Sequence, residues 1–590
     1  MDLFHENGRV KYKDERVKHY NQKYNINITN GVTNVLDYQG YEYENLPIYS
    51  FIEVDEAYSI SMEDNDNYIE WESQINGDIT QDYVVFIFEC AMGYGSPYPQ
   101  ASGKFDLYLN QKKRLSFTLT KYNQMWEEND IRFYFEIKKK EADNYGKNFT
   151  LDEWIKEESL FVNGLGYLRV PKELISDKGT VEFEIKPFNR EKSKNWFRLG
   201  LAGPIFFCDL DKGIETVCSK KEASSIKDYN IYFGDIHTHS NESNYLDNWG
   251  CGKGSWKENF EYARDVSCLD FFCMSDHDWQ LDEEEWKRLN EVTDKYNQKG
   301  AFVTIPGYEW TSKNHGHRNV YFKNKVPDEI FDCQKEKTAN RYVNNSFDDP
   351  APEDLWQWLE KNNFDAITIP HHINTYLFLV NLDKYFNEKY DRLVEIYSCW
   401  GNSLNSEDKV NLTNEKFEDY EAEKYLSQKH FGFMASSDGH DGNPGNANGC
   451  HKRNQLYHYL GSGKTAVLAE ELSREAVFNA LKERRCYAVT GAPIEMYFSI
   501  NGQPMGSIIS GEDITESEIK ISVRGRDKLK RVELVKNGKI IEKITNPGRK
   551  LEKNIIDDNI NQGKNSYYYV KVIQEDGEKA WSSPIRTIKF

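Results

Sequence analysis

The chain has 590 residues, too many for one ordinary hydrophobic core, so several domains are expected. Its formal net charge of -21 disfavours phosphate backbones and so argues against a nucleic-acid partner. Met1 to Tyr20 carries no apolar leader, no stretch is apolar enough to span a bilayer, and the ten cysteines form no CxxC pair. These features predict a cytoplasmic protein with reduced thiols and no membrane partner.

Residues 1–225 read as an N-terminal β-sandwich, jelly-roll-like, of the carbohydrate-binding kind. The predicted strands are Tyr83–Cys90, Phe105–Leu109, Leu115–Leu119, Ile131–Ile137 and Val181–Lys186, separated by turn residues. Tyr94, Tyr98 and Trp126 are candidates for an aromatic wall, although aromatic residues more often pack a core.

Residues 226–492 alternate apolar strand runs with amphipathic stretches at Ser255–Val266, Glu283–Gln298, Pro352–Asn362 and Ser473–Arg485. Such alternation predicts parallel strands in an α/β barrel or a layered sheet. From 493 to 590 the pattern is β again, with hairpin turns at Asn537-Gly538 and Asp576-Gly577. A C-terminal immunoglobulin-like β-sandwich is expected there.

The chemistry concentrates in the middle region, where strand after strand ends in a metal-type ligand. Ile231–Ile236 runs into His237 and His239, and Leu269–Met274 into Asp276, His277 and Asp278. Phe302–Pro306 leads to Glu309, Ile367–Pro370 to His371 and His372, and Phe431–Ala435 to Asp438 and His440. His315 and His317 precede the run Asn319–Phe322, and Leu393–Tyr397 carries Glu395. Ligands two apart on an extended backbone face the same way, and imidazole with carboxylate suits Zn, Mn or Fe. A lone histidine is more often structural, and His430, which precedes its strand, is read that way. Ten of the thirteen histidines fall between residues 230 and 452, which favours a shared site over scattered structural roles.

The strings FGDIHTHS, CMSDHD, PGYEW, GHRNVYF, ITIPHH and ASSDGH resemble the polymerase-and-histidinol-phosphatase (PHP) superfamily. The likeness is greatest to its large branch that includes carbaryl-hydrolase-like metallohydrolases. The resemblance implies a distorted seven-stranded β/α barrel with two or three divalent ions. It implies that His237, His239, Glu309 and Asp438 hold a first ion. Glu309 would bridge to a second, completed by His317 and His371, with His372 as the competitor to His371. His277 and His440 match ligands of a third, which needs one more residue from Glu242, Asn244 or Asp247. Asp276 and His277 are candidate proton carriers. Arg318 is a candidate for substrate binding and catalysis, with Lys464 and Arg453 as further basic residues.

The expected function is hydrolysis by metal-bound hydroxide, with a phosphoester as the leading substrate class, on a small-molecule or glycan-linked substrate. The alternatives are a carbamate, ester or amide hydrolase, or a catalytically silent glycan-binding protein. Gly461-Ser-Gly-Lys464-Thr465 imitates a phosphate loop but has His458 where that motif requires glycine, so no nucleotide site is expected.

Overall fold

The computed structural model describes residues 31–39, 58–59, 68–75, 82–95, 104–118, 124–137, 159–187, 194–199, 205–207, 229–242, 252–333, 349–375, 379–405, 418–440, 442–445, 463–511, 516–558 and 565–589. The chain divides into two compact units, Met1–Ala223 and Ser224–Phe590.

In the first unit, one five-stranded antiparallel sheet runs in the order Gly31–Gln39, Tyr68–Ile75, Thr180–Pro187, Lys104–Leu109, Lys112–Thr118. A second, seven-stranded sheet has Tyr83–Gly95, Ser159–Pro171 and Ile131–Ile137 as neighbours. Lys104–Leu109 buries every second residue, Phe105, Leu107 and Leu109, because side chains alternate across a strand. The two sheets meet through Phe86 against Phe183 at 4.8 Å and Phe117 against Phe133 at 4.9 Å. Asn110 and Gln111, both at positive φ, close one hairpin, and Asn129 and Asp130 close another. Trp126 is half-buried, stacks on Phe133 at 5.6 Å and lies 5.9 Å from Phe117 of the other sheet, so its ring packs between the sheets. The side chain of Tyr94 and the whole of Tyr98 lie outside the described residues.

The second unit corrects the expected architecture. It is not a seven-stranded β/α barrel followed by a separate immunoglobulin-like sandwich. Strand makes up 48% of the structure and helix 16%, too little helix to cover a ring of parallel strands. Among the described residues, the strands are divided among a thirteen-stranded sheet and two three-stranded sheets. Gly307–Ser312, Gly316–Phe322 and Ala366–Pro370 are successive antiparallel neighbours, and only three residues separate the first two. So short a link makes a hairpin and cannot contain a crossover helix. Asn230–Asp235, Phe271–Phe272 and Val303–Thr304 do pair in parallel, as expected, but burial of both faces does not by itself reveal the direction of the remaining strands.

The thirteen-stranded sheet also absorbs the C-terminal strands. Cys486–Val489 pairs with Lys579–Ser582, joining residues on either side of 493 in one ladder. Asn537 and Gly538 turn the hairpin between Ser517–Lys536 and Lys539–Asp557 at φ 50° and 74°.

The helices follow their local signals. Trp256–Asp265 starts at a capping box in which Ser255 and Glu258 satisfy each other's backbone amides, and Asp282 and Glu285 do the same for Glu283–Tyr296. Pro352 opens Pro352–Lys361, and Ser473 accepts from the Ala476 amide at the start of Arg474–Lys482. Among the described residues no helix is long and apolar enough to cross a membrane.

Candidate metal centre

Isolated bridges join the ends of several strands where the ligands emerge. Thr238 pairs with Gly439 and His277 with Glu309, both in parallel register. The His239 amide donates to the Gly439 carbonyl at 2.9 Å, so the two ligand pairs flanking that bridge, His237 with His239 and Asp438 with His440, lie side by side. Thr238, between the two histidines, points the other way. It is pinned by its amide to Ser275 Oγ at 3.0 Å and by its hydroxyl to the Cys273 carbonyl at 3.2 Å. Asp438 takes a left-handed φ of 49° and His372 one of 34°. Both are uncommon for side-chain-bearing residues and mark constrained turns at the site.

Glu309 stands at the centre. Its Oε2 lies 3.3 Å from His237 Nε2 and 3.2 Å from both His239 Nε2 and His277 Nδ1. Its Oε1 lies 2.7 Å from His317 Nδ1 and 3.3 Å from His371 Nε2. Asp438 Oδ1 is 3.4 Å from His237 Nε2 and 3.2 Å from His239 Nε2. Ligands about 2.0–2.2 Å from a shared tetrahedral ion sit roughly 3.3–3.6 Å apart, so this spacing fits a divalent cation.

Four overlapping sets hold ligand atoms within 4.8 Å of one another. They are His237 with His239 and Asp438, His237 with Glu309 and His371, His317 with His371 and His372, and His239 with His277 and His440. Every member is buried, and Nδ1 of both His239 and His371 lacks a hydrogen-bond partner. Buried, orphaned imidazole nitrogens beside carboxylates fit a cation better than a packed core.

The electrostatics agree. Burial alone would raise Glu309 and Asp438, but the surrounding imidazoles outweigh it and hold both carboxyls well below the usual range. Burial likewise opposes charge on His237 and His239. The neighbouring carboxylates reverse this, raising His237 well above its ordinary value and His239 to about 9. Burial takes His277 down to about 3 and His371 to about 4, keeping both neutral and competent as ligands. The pair of carboxylates thus demands positive charge in a deeply buried pocket.

All eight predicted ligands, His237, His239, His277, Glu309, His317, His371, Asp438 and His440, fall in this cluster. His371 and His372 both join it, so they are partners more than competitors. Asp276 does not face the ligand atoms with a free oxygen. It accepts from Ser240 Oγ at 2.6 Å, the Ser240 amide at 2.6 Å and Trp256 Nε1 at 2.7 Å, which fixes the segment after His239. Arg318 lies apart. Its guanidinium donates to the Tyr385 carbonyl at 3.0 Å and pairs with Asp391 at 3.7 Å, fully buried. Glu242 also turns away, accepting from the Trp256 amide at 3.0 Å and pairing with Arg288. Asn244, Asp247, Arg453 and His451 lie outside the described residues. Lys464 is buried and donates to the Gly491 carbonyl at 2.8 Å, and its segment begins a strand with no helix to cradle phosphate. His315 packs its ring on Tyr385 at 5.0 Å, outside the ligand sets.

Glu395, which the sequence shows among the strand-borne candidates, has no place in the ligand sets that the resemblance implies. Its Oε2 lies 2.9 Å from His237 Nδ1, on the ring nitrogen opposite the one facing Glu309. A glutamate in an otherwise uncharged, wholly buried strand, Leu393–Ser398, was the signal for it.

Residues 257–378 and 428–502 match the family described as Protein of unknown function (DUF3604). The chain is 26% identical over 367 residues to an uncharacterized protein of Chlamydia trachomatis, covering 56% of this chain and 54% of that one. Uncharacterized proteins of Chlamydia muridarum and Chlamydia pneumoniae are similar to the same degree, 26% over 367 and 365 residues. The chain spans about half the length of the curated relatives it matches.

Proposed function

We propose that the chain is a metal-dependent hydrolase holding two or three divalent ions (Zn, Mn or Fe), and that its substrate is a small-molecule or glycan-linked phosphoester. The observation that carries this reading is Glu309, whose two carboxylate oxygens each face a different group of histidines. A carboxylate so disposed is suited to bridge adjacent ions. Ions held there would supply Lewis acidity and an activated water, the chemistry that a phosphoryl displacement needs.

The remaining residues prepare that site. Glu395 fixes the His237 ring, and Thr311 Oγ1, 2.8 Å from His277 Nδ1, orients the His277 ring. Half-buried Trp279 stacks on His277 at 5.0 Å, with the rings 18° apart, and offers an apolar flank for the substrate's organic portion. The motifs quoted above, which resemble the PHP superfamily, contain every ligand of the cluster. The buried thiols of Cys273 and Cys486 accord with a cytoplasmic location.

The test is metal analysis of the purified chain combined with assays on aryl phosphate, phosphodiester and aryl carbamate substrates, with Mn or Zn added back after chelation. We expect at least two ions per chain and metal-restored phosphatase activity. Both should be lost in Glu309→Gln and Asp438→Ala. A chain that binds no metal, or that hydrolyses with Glu309 replaced, overturns the proposal. Carbamate cleavage without phosphate cleavage replaces the substrate class.

A further inference from the structure

A second cluster of charge lies apart from the histidine site and plays no part in the proposed hydrolysis. It forms where four segments meet: residues 426–430, the end of helix Arg474–Lys482, the turn at 506–507 and the C-terminal strand Ile585–Lys589. Arg484 takes φ 62° just beyond that helix and donates from Nε to the Gly506 carbonyl at 3.2 Å. The Arg586 amide donates to the neighbouring Ser507 carbonyl at 2.9 Å, and its Nη2 to the Leu426 and Lys429 carbonyls. His430 follows directly. Arg392 reaches the same place, donating from Nε to the Lys482 carbonyl at 2.6 Å. The approach is close: a Cβ on Gly432 would stand 2.8 Å from Arg484 Cβ.

Arg484, Arg586 and His430 are each more than nine-tenths buried, at 7%, 6% and 8% exposure. Each retains a buried nitrogen without a partner: Nη1 of Arg484, Nε of Arg586 and Nε2 of His430. The backbone carbonyls take up some of the donors but none of the charge. Among the described residues, the carboxylates acting on the cluster are Glu388, which is exposed, and Glu483, which pairs with Arg485; the other acidic groups, Cys486 and Tyr567, are weak acids. Guanidinium groups gathered in a low-dielectric place repel one another, and unsatisfied donors there cost further. A small anion answers both demands at once.

We propose that Arg484, Arg586 and His430 form a buried oxyanion site, rimmed by Arg392, that takes one inorganic phosphate or sulfate ion. The ligand proposed is a free tetrahedral ion, because the side chains that would hold it are each more than nine-tenths covered. Its place is distinct from the metal centre. His430 precedes strand Gly432–Ala435 and Asp438 follows it, with roughly 13 Å of strand between them. The ion ties the C-terminal strand to the strand that carries Asp438.

The test measures phosphate binding to the full chain by equilibrium dialysis with radiolabelled phosphate, using a His239→Ala background to remove anion binding at the metal centre. One ion per chain is expected, displaced by sulfate and not by phenyl phosphate. Affinity should fall at least tenfold in Arg484→Met and measurably in His430→Gln. Hydrogen exchange on the unmutated chain reads the location without any substitution in the cluster, and added phosphate should slow the amides around 505–508. Absence of binding at millimolar phosphate overturns the site. So does affinity unchanged by both substitutions, competition by phenyl phosphate equal to that by phosphate, or protection confined to segments away from 505–508. Failure here leaves the hydrolase proposal standing, because the two share no residue.

Discussion

Glu395 Oε2 lies 2.9 Å from His237 Nδ1, while His237 Nε2 faces Glu309 and Asp438 at 3.3 and 3.4 Å. The imidazole is therefore held between a carboxylate behind it and two in front. Hydrogen bonding at Nδ1 fixes the tautomer that leaves Nε2 free to ligate and makes that nitrogen more basic. Removing such an outer carboxylate typically weakens metal binding by about 10–100-fold. Glu395→Gln should show a loss of that size in a chelator-competition titration, with a folded chain by circular dichroism. Unchanged metal affinity would mean that Glu395 merely fills the core.

Gly252 controls the HxH segment from outside the ligand set. A Cβ there would lie 2.1 Å from the His239 carbonyl oxygen, and the Gly252 amide donates to Ser240 at 2.9 Å. No side chain can enter without moving His239. Gly252→Ala is expected to lower metal content and activity together, although no ligand has changed. Full metal occupancy in Gly252→Ala would show that the loop yields and the ligands do not.

The parity of strand residues explains which site residues were legible in the sequence. His237 and His239, and Asp438 and His440, stand two apart and arrive together, as an extended backbone requires. The same rule applied to Gly316–Phe322 separates Arg318 from His317. The guanidinium leaves on the opposite face toward Asp391, so its assignment to catalysis had the alternation against it. His372 follows His371 directly and should face away. Its φ of 34° breaks the alternation and brings both rings to the cluster, a backbone choice that no residue type announces. Strand positions were legible from apolar runs and helices from their caps. Pairing direction was legible only in part: Asn230–Asp235, Phe271–Phe272 and Val303–Thr304 are parallel neighbours with helices between them, as the alternation predicts, whereas the hairpin at Gly307–Phe322 is antiparallel and presents similarly apolar strands.

Lys464 tests the rejected phosphate loop. Its Nζ donates to the Gly491 carbonyl at 2.8 Å within a strand buried on every residue. Losing a buried, hydrogen-bonded ammonium leaves an acceptor unsatisfied and costs about 1–3 kcal/mol. Lys464→Ala should therefore lower the denaturation midpoint, and both the parent and the variant should show no ATP affinity by calorimetry. ATP binding to the parent that Lys464→Ala removes would restore the phosphate-loop reading.

His430 makes stability depend on pH. Burial, then Arg484, Arg586 and Arg392 pressing on it, push its folded value down to about 2, with a hydrogen bond to the Gly506 backbone opposing. In the unfolded chain the ring titrates near its ordinary value of 6.5. A histidine whose folded value is depressed contributes stability above the unfolded value and loses it as pH falls below that value, because only the unfolded chain takes up the proton. Below 6.5 the loss from this one group approaches about 1.4 kcal/mol per pH unit. Urea denaturation in phosphate- and sulfate-free buffer between pH 7.5 and 5 should show that slope superimposed on the rest of the chain. His430→Gln, which cannot protonate, should flatten it by about one proton's worth. Adding phosphate to the parent should flatten it also, because an anion beside the ring favours the imidazolium in the folded chain. An identical slope in parent and His430→Gln would mean that the ring is solvated and that the arginines around it are compensated from elsewhere.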